Sequence, residues 1–406
     1  MKKLLILVLA ALLLLTPILS AGAEAVLTMG SWRADDVEQM NNLLALYKEK
    51  TGVQIDFAPT TPQDYNAALR LKLDSGTGPD LMYARSYATG IDLFDAGYFA
   101  DCSDIPGLYE NFTAQSLAPW QTYEGKSFAV PFAAVSHAVY YNKDIFAQQG
   151  IEIPATFEDF LALCEKLKAA QITPLANGVA EEWDILECLF LGMLPNYVGG
   201  AAERAKYEAG EKKMNDEAFT AAFADIGKLA PYLPEGFASV TYNDSQILFA
   251  TGKAAMFMDG SWTSGTYGDV GFHWGVFAMP APKGKPTLVT FHPDMAIAMN
   301  TATKYPEEAK AFLAWLCTKE GVDAAAAALP AGFYPLINLP VDIKDEHAVE
   351  FLALNEGRET DARFVWPELN QLYVPMNHAV IQVLKGEITP QQAADNMAAE
   401  YNKLQE

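Results

Sequence analysis

The chain has 406 residues, too many for one ordinary core, which predicts two domains. Its 51% apolar and 12% aromatic content excludes a disordered chain and supplies ample core material. A formal charge of −23 repels phosphate backbones and anionic headgroups, so neither nucleic acid nor an anionic membrane surface is an expected partner.

Lys2 and Lys3 precede an apolar run over residues 4–15, Pro17 breaks it and small residues follow, as in a secretory signal. Ala21-Gly22-Ala23 and Ala23-Glu24-Ala25 both suit cleavage, and residues 1–25 are assigned to the signal peptide. No Cys occurs there, so the lipobox of a lipoprotein is missing. A freely diffusing exported protein, periplasmic or extracellular, is expected; a retained anchor is the bland alternative.

Residues 25–29 read as a first strand that exits at Gly30-Ser31-Trp32-Arg33. A helix follows from about Asp35-Asp36, with Val37, Met40, Leu44 and Tyr47 at helical spacing, and Gly52 ends it. Val53, Ile55 and Phe57 then alternate with polar neighbours as a strand does. This β-α-β opening predicts a parallel pair. Gly76-Thr77-Gly78-Pro79 is a turn, residues 80–83 form the next strand, and Arg85-Ser86-Tyr87 lie at its exit. The alternation continues to about Phe132, and Thr156 with Asp159 predicts a capping box opening a helix to Leu167.

Templates for catalysis fit poorly. Gly125-Lys126-Ser127 would need a glycine at 120 to be a phosphate loop, and Trp120 stands there. The five histidines lack metal-ligand spacing, no Gly-x-Ser-x-Gly elbow occurs, and no carboxylate pair can be placed among the 51 acidic residues. No enzyme activity, metal or cofactor is expected. Cys102, Cys164, Cys188 and Cys317 do not make a disulfide scaffold; Cys164 and Cys188 could pair after export, but buried free thiols are the expectation.

The most informative stretch is residues 248–265. Gly252-Lys253 ends a helix, an apolar strand over residues 254–258 stops at Asp259-Gly260, and Trp262 follows where open sheets bind ligands. Tyr140-Tyr141-Asn142-Lys143-Asp144 with Gly150 and Pro154-Ala155-Thr156 is a second signature. Met279-Pro280-Ala281-Pro282-Lys283-Gly284, a strand over residues 294–299, a helix over residues 307–317 and Phe333-Tyr334-Pro335 complete the order. The chain resembles the sugar-binding proteins of ABC importers, the family 1 extracellular solute-binding proteins that include the maltose-binding protein.

That resemblance implies an α/β, two-lobed periplasmic-binding-protein fold of type II-like topology with three hinge crossings. Residues 26–132 plus 283–335 would form the N-terminal lobe, and residues 133–282 plus 336–406 the C-terminal lobe. It also implies a monomeric receptor that holds a carbohydrate between the lobes and presents it, on closure, to a membrane permease. A receptor for a polyol, a glycerol phosphodiester or a uronate oligomer would share the fold, and an exported glycoside-active enzyme is the third option.

A sugar presents apolar C–H faces to aromatic rings and hydroxyls to planar polar groups. Candidates of both kinds lie at strand exits and crossings: Trp32, Arg33, Tyr83, Arg85 and Tyr87 from the first lobe, His137, Trp183, Asp184 and Trp262 from the second, and His292, Phe333 and Trp366 from the later crossings and C-terminal segment. Trp262 leads on its family position. Asp80 reads as a structural strand-start residue, Asp259 as a turn cap and Lys253 as a solvated turn residue.

Overall fold

The computed structural model describes residues 25–405 except residues 35, 182, 330 and 331; the expected signal segment, apart from Ala25, lies outside this range. The β-α-β opening is present. Strand β1 (Val26–Ser31) pairs in parallel with β2 (Gln54–Pro59), and the helix Val37–Thr51 connects them, burying Met40, Leu43, Leu44 and Tyr47. Gly52 closes that helix at φ 78°, its N–H bound to the Lys48 carbonyl, in the left-handed region that glycine enters without a Cβ penalty. Strand β3 (Leu81–Ala84) lies on the other side of β1. Asp80 before it is structural: its carboxylate accepts the Thr28 N–H at 2.8 Å and the Thr303 hydroxyl at 2.6 Å.

Two long strands make the molecule two-lobed. The first half of β4 (Val130–Asn142) runs antiparallel to β8 (Val289–Met299), from Val130 opposite Ile297 to Ser136 opposite Phe291. From His137 onward β4 pairs instead with β6 (Ala254–Gly260), and from Val139 also with β7 (Trp274–Phe277). The sheet order β2-β1-β3-β8-β4-β6-β5, where β5 is Thr173–Leu175, thus passes through both lobes. Register shifts in β4 between Pro131 and Ala134, and Pro293 stands opposite Ala134. Neither proline can donate to the ladder, so the sheet bends where it leaves one core for the next.

Each lobe has its own core. One gathers β1, β3, the start of β4, the end of β8 and the helices Pro306–Leu316 and Lys319–Ala328. The other joins the helices Phe157–Ala169, Glu217–Leu229, Tyr373–Leu384 and Pro390–Leu404. A smaller aromatic cluster around Tyr140, Phe257, Tyr267, Trp274 and Phe351 packs beside the second. The helix Phe157–Ala169 opens on the expected capping box of Thr156 and Asp159.

One residue ties the crossings together. Ser261 Oγ accepts the Ser136 N–H at 3.0 Å and donates to the Gly332 carbonyl at 2.5 Å. Gly332 is at φ 87°, and a Cβ there would lie 1.8 Å from the Ser261 carbonyl oxygen, so no other residue fits. Strand β9 (Tyr334–Pro335) then pairs with β4, completing the third crossing.

Candidate functional site

Strand β6 runs to Gly260, two residues beyond the expected end, because Asp259 and Gly260 still pair with Ala138 and His137. The 3-10 helix Ser261–Tyr267 follows and turns Trp262 back over its own strand end. A Cβ on Gly260 would lie 1.9 Å from the indole, so the fold of Trp262 requires glycine there. The indole N–H donates to Tyr242 Oη at 2.8 Å, and Tyr242 donates to Asp259 Oδ2 at 2.9 Å. Thr263 and the Gly260 N–H also donate to that carboxylate. Burial raises Asp259 to about 6 against these hydrogen bonds. Trp183 packs on Tyr242 at 4.5 Å, so Trp183, Tyr242 and Trp262 form one aromatic run. Lys253, at the head of the strand, is exposed.

Four expected residues converge beside this run. His137 on β4 meets Trp262 edge-on at 5.2 Å, His292 on β8 lies 5.8 Å from His137, and Trp366 lies 5.0 Å from His292. At their centre is a residue the sequence reading passed over, Arg363, only 3% exposed. Its guanidinium carbon lies 5.0 Å from the Trp262 ring and 4.2 Å from the Trp366 ring. Its Nε–H donates to His137 Nε2 at 3.3 Å, and Nη1 pairs with Glu187 Oε2 at 2.8 Å. Tyr373 donates to the other oxygen of Glu187 at 2.5 Å. Burial first, and the Arg363 charge second, hold both imidazoles well below their usual pKa, so both are neutral at pH 7. His292 Nδ1 faces the Pro293 carbonyl at 3.0 Å, and its buried Nε2 has no hydrogen-bond partner among the described residues.

Glu187 comes from an unusual element. Residues Ile185–Phe190 form a π-helical turn, capped by Asp184, whose carboxylate accepts the Ile185 N–H at 2.6 Å. Burial raises Asp184 to about 8, and its second oxygen has no partner among the described residues. Short π segments are often found at functional sites.

The first lobe contributes a different wall. Trp32, just past β1, is 5% exposed and meets Tyr65 and Tyr83 edge-on at 5.5 and 5.3 Å. The Arg85 guanidinium covers its ring at 3.9 Å and donates through Nε to Asn66 at 3.1 Å. A cavity of about 170 Å³ opens beside Arg85, between Tyr65, Asn66, Thr89 and Asp92. Burial lowers the Arg85 pKa, while Asp294 and, from the second lobe, Glu187 and Tyr373 lie close enough to oppose that shift. Arg33 holds Asp36 by two hydrogen bonds of 2.6 and 2.7 Å and lies 4.7 Å over Phe333, which is buried in the first core.

Tyr87 joins neither group. It opens the helix Tyr87–Asp95 at φ 55°, a strained conformation for a bulky side chain. Burial raises its hydroxyl to about 12, opposed by the charge of Arg204, which in turn is clamped on Asp361 at 2.8 and 3.0 Å. A further contact spans the lobes, from the Tyr123 hydroxyl to Glu368 at 3.1 Å.

Glu187 had a signal that composition hides: it is the one acid in the apolar run of residues 185–191, and a carboxylate placed there needs a partner. Arg363, three residues before an expected Trp, is its partner. All four cysteines are buried and free, so Cys164 and Cys188 are not bonded. Among the described residues no group of three or more His, Cys, Asp or Glu could hold a metal ion. Nor is any single described helix long and apolar enough to cross a membrane.

The family model for bacterial extracellular solute-binding proteins matches residues 31–323. The chain is 25% identical to a multiple sugar-binding protein of Streptococcus mutans over 78% of this chain and 76% of that one. It is 23% identical to a galactooligosaccharide-binding protein of Bacillus subtilis over 93% and 89% of the two. Among solved structures, a chitin oligosaccharide binding protein superposes with a TM-score of 0.81 at 21% identity, over 94% of this chain and 99% of that one. At that identity the likeness speaks for the fold.

Proposed function

Because the chain belongs to the family of bacterial extracellular solute-binding proteins, we propose that it is an exported receptor that captures a mono- or oligosaccharide between its lobes for a membrane permease. The names of its relatives, which bind sugars and galactooligosaccharides, support a carbohydrate. The observation that carries the reading is the second lobe's wall, where half-buried Trp262 and Trp366 stand beside neutral His137 and His292. Indole faces suit sugar C–H groups, and His292 Nε2, which has no partner among the described residues, can accept from a hydroxyl, while His137, whose Nε2 accepts from Arg363, can donate. Trp183 extends this wall through Tyr242.

From the first lobe, Arg85 supplies donors, and we assign Trp32, Tyr83 and Phe333 to supporting it and Arg33 from beneath. Tyr87 sits at the far edge, towards Arg204. The carboxylate of Asp184 orders the turn that carries Glu187. Contacts to both lobes form together only when the cleft is closed, so ligand shifts the population toward the closed form. The lobes are taken as residues 26–132 plus 283–335 and residues 133–282 plus 336–406. The protein acts as a monomer, reaches the envelope through its signal segment, and catalyses nothing.

A neutral sugar is favoured over an anionic solute by the charge balance of the cleft. Arg33 is matched by Asp36 and Arg363 by Glu187, and Arg85 has Asp294 in electrostatic reach. A phosphodiester or uronate would have to compete with each carboxylate. Titration calorimetry with galactose, maltotriose, raffinose, a chitooligosaccharide and a uronate trimer tests this, with Trp262→Ala as the control. A neutral saccharide should bind and the variant should bind it more weakly. Binding of the uronate alone, or unchanged affinity in the variant, overturns the reading.

A further inference from the structure

We propose that Arg363 is a positioning residue: it fixes the two indoles of the second lobe's wall in one orientation and, together with Tyr373, holds the carboxylate of Glu187. Trp262 and Trp366 come from segments about a hundred residues apart, and no hydrogen bond joins the two indoles directly. The Trp262 N–H is used by Tyr242. What touches both is the Arg363 guanidinium, 5.0 and 4.2 Å from the two rings. The Trp366 backbone N–H donates to the Arg363 carbonyl at 2.9 Å, so Arg363 and Trp366 share one turn.

Three features assign the role to this side chain rather than to packing alone. An arginine 97% buried is costly unless each face and edge is matched, and here they are: two rings on the cation, a carboxylate at 2.8 Å and an imidazole at 3.3 Å. A flat, delocalised cation can lie against two rings while its edge donates to a carboxylate; an ammonium cannot do both. Finally, Glu187 sits on the π-helical turn, and its oxygens are taken by Arg363 and Tyr373, which leaves it only a narrow exposed edge. One guanidinium therefore ties together Trp366, the exit of β6, and the π turn, which are otherwise separate parts of the wall.

This rests on the saccharide reading only for its effect on affinity; the orientation of the indoles does not depend on it. The primary test is therefore made without ligand. Tryptophan indole ¹H–¹⁵N resonances of the full chain are recorded, with those of Trp262 and Trp366 assigned from Trp262→Phe and Trp366→Phe. In Arg363→Lys, which keeps the charge and the pairing with Glu187, both resonances should move, while those of Trp120 and Trp315 in the other lobe stay in place. Glu187→Gln, which frees one edge of the guanidinium, should move them less. If Arg363→Lys leaves both resonances in place, or shifts all the indoles alike, the proposal is overturned. If Arg363→Lys does not fold, Glu187→Gln decides by the same criterion. Should the two resonances respond as expected while the wild-type protein binds none of the panel sugars, the positioning role stands and the saccharide reading falls. Where a sugar does bind, Arg363→Lys should weaken it about tenfold or more, and unchanged affinity counts against the proposal.

Discussion

The two walls of the cleft use the same residue types in opposite ways. In the first lobe a guanidinium lies over an indole and seals it: Arg85 covers Trp32, which is left 5% exposed and boxed in by Tyr65 and Tyr83. In the second lobe the guanidinium lies behind the indoles, buried, and Trp262 and Trp366 stay half-buried with surface to offer. Which partner of a cation–aromatic pair is solvent-facing decides what the wall can bind. The first lobe presents a cation set on a ring and the second presents rings set on a cation, which under the proposed saccharide reading would serve hydroxyls and sugar faces respectively. A strand-exit tryptophan is therefore not enough to predict a stacking platform.

The sharpest way to break this contrast is to remove one tryptophan from each wall. Trp32→Ala deletes a buried side chain among two tyrosines and an arginine and should cost about 3–5 kcal/mol of stability. Trp32→Phe, which keeps a ring under Arg85, should leave affinity for a bound saccharide within about twofold. Trp262→Ala should do the reverse, with a smaller stability loss and a loss of affinity of about 2 kcal/mol, roughly thirtyfold. Thermal unfolding and calorimetry on the same samples check both. Equal affinity losses in Trp32→Phe and Trp262→Ala would mean that the walls are alike.

How much of this was legible in the sequence follows from the range of each interaction. The helix Val37–Thr51, its glycine stop and the Thr156–Asp159 capping box are set within a few residues, and all three stand as expected. The exit of β6 at Trp262 was readable too, since strand ends and the residues after them are local. The orientation of Trp32 was not, because it depends on a side chain 53 positions further on, Arg85. Arg363 and Glu187 meet across 176 positions, and no periodicity connects them. Only the oddity of a lone acid in an apolar run hinted at the pair.

A second test separates the charge habits of the walls. The second lobe buries Asp184 beside the π turn, and burial raises its carboxyl to about 8, from 3.8 in an open chain. Between those values the folded protein holds a proton that the unfolded chain has released. Its contribution to stability is therefore full below the unfolded pKa and is lost as pH rises towards 8. Asp184→Asn, which keeps the cap acceptor and cannot ionise, should gain on the order of 2 kcal/mol over wild type at pH 8 and nothing at pH 4. The first lobe's buried acid, Asp36, is paired with Arg33 instead. Asp36→Asn should lose stability at pH 7, because it replaces the buried carboxylate that takes two of the Arg33 hydrogen bonds with a neutral amide. Denaturant titrations at the two pH values read both variants; a gain for Asp184→Asn that does not depend on pH would show that the effect is not ionic.

The smallest expected effect lies where the walls touch. Tyr123 stands on a tight turn, closed by the Gly125 N–H on the Thr122 carbonyl, and its hydroxyl reaches Glu368 near Trp366 in the other lobe. The residue is 76% exposed, so water competes for the hydroxyl. A hydrogen bond under such competition contributes about 0.5–1 kcal/mol net. Under the hinge closure proposed above, a contact between the lobes belongs to the closed form, so it would bias closure and not the fit of the ligand. Tyr123→Phe removes the hydroxyl and leaves the ring. Its melting temperature should match wild type, and its affinity for a given sugar should fall about two- to fivefold. The change should be in the dissociation rate, since opening must precede release, and every sugar that binds should be affected in the same proportion. Stopped-flow tryptophan fluorescence measures it. A loss that differs from sugar to sugar would instead place Tyr123 against the ligand, making the rim part of the first lobe's wall.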